Sequence, residues 1–180
     1  PPMKVFVAGF AGQLARALAA RAATSGDEAL ALGRPQLDLE LRAGAERIDA
    51  FAPDAIINAA AYTAVDAAET DPTRAFAINR DGAAWLAGIA ARRQIPLVHV
   101  STDYVFGGEK RSAYTEDDPT GPQTVYGQTK RAGEEAVLVT YPAALVVRTA
   151  CVYSPYGHNF VRTMLRLGAE REELRVVADQ

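Results

Sequence analysis

The stretch VFVAGFAGQLARAL, residues 5–18, runs from an apolar segment through two glycines into an alanine- and leucine-rich segment of helical period. An apolar run without polar alternation reads as a strand covered on both faces, the habit of parallel sheets. Gly9 and Gly12 then form a turn, and a helix is expected from about Gln13, with Ala15 where a third glycine could stand. Such a turn lets the backbone come close to a pyrophosphate, whose charge suits the free N–H groups and dipole at a helix N-terminus. A small third residue lets the helix pack against the strand. An ordinary tight strand-to-helix turn would look the same; its place after the first strand of the chain favours the phosphate cradle.

The pattern repeats along the chain. Strands are expected at Lys4–Ala8, Ala29–Leu32, Ala55–Asn58, Pro96–Val100 and Ala143–Val147, with a sixth at Leu174–Val177. Helices are expected at Gln13–Ala23, Leu41–Phe51, Pro72–Arg93, Gly127–Val139 and Asn159–Ala169. In the third of these, Phe76, Ile78, Ala83, Leu86, Ile89 and Ala90 share roughly one face. Alternating strands and helices imply an α/β fold, a doubly wound parallel sheet of Rossmann-like type with helices on both faces. Gly107–Pro122, rich in Gly, Pro, Asp and Thr, reads as a long loop.

Composition narrows the function. With 180 residues, 49% of them hydrophobic, the chain can bury one core, and a net charge of −3 offers no basic surplus for nucleic acid or an anionic membrane. Two histidines and one cysteine, Cys151, argue against a metal cluster and against an internal disulfide, and no metal site is expected. No apolar run is long enough to span a bilayer, and Lys4–Gly9 is too short for the apolar core of a signal peptide. A cytoplasmic domain is expected. The sequence stops after Val176-Val177-Ala178-Asp179-Gln180 with no closing helix, so residues 3–180 are expected to be a dinucleotide-binding domain that is cut short.

Two further places bear on chemistry. Where a dinucleotide site for NADH commonly carries an acid, the end of the second strand reads Leu32-Gly33-Arg34, a cation that suits the 2′-phosphate of NADPH; a solvated surface arginine is the alternative. In Tyr126-Gly127-Gln128-Thr129-Lys130, the tyrosine and lysine are one helical turn apart and can face one site. A phenol is a poor acid–base group near neutrality, and a neighbouring ammonium lowers its pKa. A surface pair with the ring on the lysine stem remains the competing reading.

The order of these features, a glycine turn, then a Ser/Thr cluster ending the fourth strand, then Tyr-x-x-x-Lys, resembles the extended short-chain dehydrogenase/reductases. GFAGQL at 9–14, NAAAYTAVDAAE at 58–69, STDYVF at 101–106, YGQTK at 126–130, RTACVY at 148–153 and NFVRTMLRL at 159–167 resemble, within that superfamily, the dTDP-4-dehydrorhamnose reductase family. The resemblance covers nearly the whole chain. It implies hydride transfer from NADPH, with NADH as the alternative, to the 4-keto group of a dTDP-linked deoxysugar. It leaves a role for Mg2+ undecided and includes a homodimer among its expectations.

Position by position, the resemblance implies Tyr126 as proton donor, Lys130 as its tuner and a ribose ligand, and Thr102, rather than Ser101, on the keto oxygen. Gly9, Ala11, Gly12, Gln13 and Leu14 would surround the pyrophosphate, Arg34 the 2′-phosphate, Asp38 and Leu39 the adenine. Ala59, Ala60, Ala61 and Tyr62 would line the ribose side of the cofactor, or serve as simple core. Val65, Tyr104 and Cys151 would join Thr102 and Tyr126 on the sugar. Asn79 and Asn159 are weaker candidates, each equally read as a local helix hydrogen-bonder or cap. The chain departs from the family pattern at Gly107, where Asp is usual, at Ala67 in place of Lys, and at Cys151 in place of Trp. Two other readings stay open: a non-catalytic NADP-binding regulatory subunit resembling that of methionine adenosyltransferase, and a nucleotide-sugar epimerase or dehydratase.

Overall fold

The computed structural model describes residues 2–176. Its elements, in chain order, are β1 (Lys4–Ala8), α1 (Gln13–Ser25), β2 (Glu28–Leu32), α2 (Ala45–Phe51), β3 (Ala55–Asn58), α3 (Val65–Thr70) and α4 (Pro72–Phe76). A π-helical segment, Ala77–Gly82, joins α4 to α5 (Ala83–Arg93). Then follow β4 (Leu97–Thr102), a 3-10 turn (Asp103–Val105), α6 (Val125–Thr140), β5 (Leu145–Thr149) and α7 (Phe160–Glu170). The five strands form one parallel sheet in the order β2-β1-β3-β4-β5.

That order carries the winding. The chain leaves β1 towards β2, returns across β1 to β3, and then moves steadily away. Right-handed crossovers therefore put α1 on one face and α2, α5 and α6 on the other. The main core matches: Phe6, Ile56 and Leu97 of the sheet pack with Ile48 of α2, Leu86 of α5 and Val137 of α6. On the opposite face, α1 brings Ala15 and Ala22 into burial against β1 and β2. The crossover direction reverses between β1 and β3, and the carboxyl ends of those strands open the crevice where this architecture takes ligands.

Several expected elements shift. Helix α2 starts at Ala45 rather than Leu41, because the Asp38 carboxylate accepts the Glu40 and Leu41 N–H groups and Asp38 bridges Ala43, folding 38–43 into a turn. Helix α3 was not expected; it packs against α6 through buried Ala68. The helix expected at Pro72–Arg93 is continuous, but slips into π geometry at its middle. β4 and β5 each run two residues further than expected, to Thr102 and Thr149, which stand in register. No strand forms over 174–176, and Val177 lies outside the described residues, as does the rest of the VVADQ ending. β2 and β5 are the two edges of the sheet, and β5 leaves Leu145 and Val147 exposed.

Candidate active site

The turn after β1 is shaped by close approach. Gly9 has φ of 110°, its N–H donates to the Leu32 carbonyl at 2.6 Å, and a Cβ there would stand 3.4 Å from the Ala59 and Ala60 backbone. Only glycine takes this conformation without strain. Gly12 is the N-cap of α1 and supplies no side-chain cap; a Cβ on it would meet nothing within 4 Å. The first N–H groups of α1, at Gln13 and Leu14, have no intrahelical acceptor and no side-chain cap, and the first turn carries no acid. A helix start without a side-chain cap or an acid suits the charge of a pyrophosphate. Ala11 belongs to the same turn. The Gln13 side chain turns elsewhere: its Nε2 donates to the Val152 carbonyl, and its Oε1 accepts from Asn159 Nδ2 at 3.1 Å and from Ser154 at 3.2 Å.

At the carboxyl end of β2 a cavity of about 110 Å³ is lined by Gly9, Arg34, Asp38, Leu39, Glu40 and Ala60, among others. Arg34 is present as expected, but it is not alone. Its Nη1 lies 3.9 Å from Glu40 Oε2, which also accepts from Arg74 Nε at 3.0 Å. The Asp38 carboxylate serves its own loop, and the Leu39 side chain belongs to the main core.

Across the crevice, β4 and α6 build the second half of the site. β4 buries Leu97, His99 and Ser101 on one face and ends on Thr102. Thr102 Oγ1 accepts the Tyr104 N–H at 3.2 Å and lies 3.0 Å from Asp103 Oδ1, to which it donates. Helix α6 is capped by Thr124, whose hydroxyl accepts the Gly127 N–H, and anchored by Glu69, which accepts the Val125 N–H. A Cβ on Gly127 would overlap the Tyr104 carbonyl oxygen, and one on Gly133 the Asn79 carbonyl oxygen. Those two glycines let α6 seat directly on the β4 turn and on the π segment, which puts Tyr126 and Lys130 at the end of β4.

Tyr126 is buried, with the ring of Tyr104 edge-on to it at 5.6 Å and Tyr62 and Val65 packed into the same cluster. Burial raises its pKa above the ordinary phenol value, the Thr102 hydroxyl opposes the shift, and the charges of Asp103 and Tyr104 add to it. The sequence suggested the reverse direction. Lys130 instead donates its ammonium proton to the Val100 carbonyl at 2.7 Å, and desolvation of the ring dominates. Burial brings Lys130 itself down to about 8, against the pull of Glu134 one turn along the helix. His99 is neutral: burial first, then the Lys130 charge, lower it to about 3, while Nδ1 pairs with Asn58 Nδ2 at 3.0 Å.

Two residues matter more than the sequence suggested. Asn79, in the π segment, accepts the Tyr62 N–H at 2.8 Å and donates to the Tyr62 carbonyl at 3.1 Å and to Thr129 Oγ1 at 2.9 Å. It clamps the loop after β3 to α6. Glu134, buried on α6, receives Arg148 of β5 through two bonds of 2.9 and 2.7 Å, and that guanidinium lies 4.9 Å from the Phe106 ring. An asparagine inside a helix, and a Glu one turn past Tyr-x-x-x-Lys, were the available signals. Asn159 is the N-cap of α7, accepting the Arg162 N–H, so its capping reading holds alongside the Gln13 contact. Cys151 stands two residues beyond Thr149 in an exposed turn at φ of 46°. Ala59, Ala60, Ala61 and Tyr62 follow β3 at intermediate burial, with Ala60 also packed on the core.

A family model described as the RmlD substrate binding domain matches residues 3–180. The chain belongs to the RmlD substrate-binding domain family. Within the family, a dTDP-4-dehydrorhamnose reductase of Sinorhizobium fredii is 51% identical over 99% of this chain and 60% of its own length. A probable dTDP-4,6-dihydroxy-2-methyloxan-3-one 4-ketoreductase of Streptomyces antibioticus is 45% identical over 99% of this chain and 61% of its own length. A dTDP-4-dehydrorhamnose reductase of Bacillus anthracis, solved in complex with NADP, superposes with a TM-score of 0.94 at 37% identity, covering 100% of this chain and 64% of that one. The chain thus spans about 60% of the length of the curated relatives it matches. Among the described residues no helix is long and apolar enough to cross a membrane, and no group of three or more His, Cys, Asp or Glu gathers to hold a metal.

Proposed function

We propose that the protein is an NADPH-dependent reductase that converts the 4-keto group of dTDP-4-dehydro-L-rhamnose to the alcohol of dTDP-L-rhamnose. The observation that carries this reading is the convergence of Thr102, Tyr126 and Lys130 at the carboxyl end of β4, across the crevice from the glycine cradle. The bound cofactor supplies the hydride. Tyr126 supplies the proton: a phenol held above its ordinary pKa stays protonated, the form needed to meet an oxygen becoming alkoxide. Thr102 is assigned to the same oxygen: the Tyr104 N–H fixes where its hydroxyl sits, and the one proton it gives to Asp103 turns to the keto oxygen when substrate is bound. Lys130 holds a buried cation beside the reacting groups below about pH 8. Gly9, Ala11, Gly12, Gln13 and Leu14 would hold the pyrophosphate, Arg34 the 2′-phosphate, and Ala59–Tyr62 the ribose side. Tyr104, Val65 and Cys151 are assigned to the sugar.

In this reading residues 3–180 are the dinucleotide-binding domain, and the sugar-nucleotide lobe belongs to the part of the relatives' length that this chain does not cover. A cytoplasmic homodimer acting on free sugar nucleotide goes with it. The reductase names of the relatives support it over a regulatory subunit or an epimerase. The test is NADPH oxidation by the complete gene product with dTDP-4-dehydro-L-rhamnose, followed by absorbance. Sugar-dependent oxidation is expected. Its absence, with NADPH bound, would overturn the reading.

A further inference from the structure

The rim of the β2 cavity contains more charge than one arginine reading a phosphate would need. Arg34 and Glu40 both line it, and Glu40 Oε2 lies between two guanidinium groups, 3.0 Å from Arg74 Nε and 3.9 Å from Arg34 Nη1. The two distances differ in kind. The Arg74 contact is a charge-assisted hydrogen bond, whereas the Arg34 contact is a loose ion pair whose arginine is 59% exposed. Arg34 can therefore leave without stranding the carboxylate, which keeps Arg74. Asp38, the other acid of the rim, has its carboxylate turned into its own loop.

We infer that Glu40, held by Arg74, sets the dinucleotide preference of this site by balancing Arg34. A 2′-phosphate draws Arg34 away but meets the Glu40 charge nearby. A free 2′-hydroxyl finds in Glu40 the acceptor that an acid provides in NADH sites. The two effects oppose each other, so Glu40 weakens the preference for the phosphorylated dinucleotide that Arg34 alone would give. The inference rests on the cofactor reading above and adds to it a residue that the Leu32-Gly33-Arg34 pattern leaves out.

The experiment is equilibrium binding by calorimetry with the complete gene product. The probes are NADPH and NADH, and also 2′,5′-ADP and 5′-AMP, which present the ribose end without nicotinamide. The wild-type protein is expected to bind both dinucleotides with affinities within about tenfold of each other. Glu40→Gln is expected to shift the NADPH-to-NADH ratio by about fivefold towards NADPH, and the ratio of 2′,5′-ADP to 5′-AMP in the same sense. Arg34→Gln should shift both ratios the other way. Glu40→Asp keeps the charge and should stay near wild type, separating charge from shape; circular dichroism checks that each variant is folded. An unchanged ratio in Glu40→Gln, with wild type binding NADPH, overturns the role of Glu40 and leaves the cofactor reading standing. Wild type binding neither dinucleotide overturns both.

Discussion

The two ends of the crevice are built from opposite materials. At the α6 end, Lys130, Thr129, Asn79 and Glu134 are nearly free of solvent, and each polar group is held by a named partner. At the β2 end, Arg34, Glu40 and Arg74 are partly open to water, and Arg34 is held only by a loose ion pair. Burial makes the first end an electrostatic instrument, because desolvation moves the pKa values of Tyr126, Lys130 and His99. Exposure makes the second an adjustable surface, where screening keeps any one pair weak. Substitutions should therefore have large effects at α6 and small ones at the rim.

The largest effect is expected at Tyr126. Tyr126→Phe keeps the ring, its packing against Tyr104 and the glycine cradle, and removes only the proton donor. Turnover in the complete gene product should fall by about 10²- to 10⁴-fold. Dinucleotide affinity, measured by calorimetry, should hardly move. Near-normal turnover would remove the proton donor from the α6 end and with it the main contrast between the two ends.

Lys130 comes next and gives a pH signature. Its folded pKa, about 8, lies below the ordinary lysine value, so between those limits the unfolded chain holds a proton that the folded one has lost. Stability carried by this residue must then rise with pH across that window, and be lowest where the ammonium is charged in both states. Against Lys130→Met, the wild type should gain roughly 3 kcal/mol between pH 8 and 10.5, read from urea unfolding of both proteins across the range. The turnover of the wild type should fall as pH rises through about 8, where the buried cation is lost. A stability difference independent of pH would mean that Lys130 titrates like a surface lysine.

What could be read from the sequence divides along the same line. The five strands, the glycine turn and Tyr126–Lys130 rest on local patterns, and these came through with shifts of a few residues. The π segment did not, because nothing local distinguishes a π turn from an α turn; it forms where Asn79 meets Gly133, across more than fifty residues. Nor could the sequence give the direction of the Tyr126 shift. An i, i+4 spacing puts Lys130 near the phenol, but only the fold shows the ammonium taken by the Val100 carbonyl. Glu40 was missed for a similar reason: the pairing with Arg74 joins residues 34 apart in the chain.

Asn79 should give an intermediate effect. Asn79→Ala removes the acceptor for the Tyr62 N–H and the donor to Thr129 Oγ1, two contacts with little access to water. The expected loss is about 1–3 kcal/mol of unfolding free energy, with weaker dinucleotide binding because the loop after β3 is no longer clamped. Calorimetry and urea unfolding measure the two effects separately. A loss of stability without loss of binding would confine Asn79 to the core and detach the Ala59–Tyr62 loop from the site.

The smallest effect on folding belongs to the rim. The Glu40 side chain is 31% exposed and its partners 40% and 59%, so the attraction is shared with solvent and weakens further with salt. Glu40→Gln should change the unfolding free energy by less than about 1 kcal/mol in either direction, and that change should shrink in high salt. The same substitution is expected to move dinucleotide preference, so the rim would separate recognition from stability in a way that α6 cannot. At α6 the groups that hold Tyr126 and Lys130 in place are also the groups that hold the helix to the sheet. A loss of several kcal/mol in Glu40→Gln would show the carboxylate to be structural, and the contrast between the two ends would fail at its exposed end.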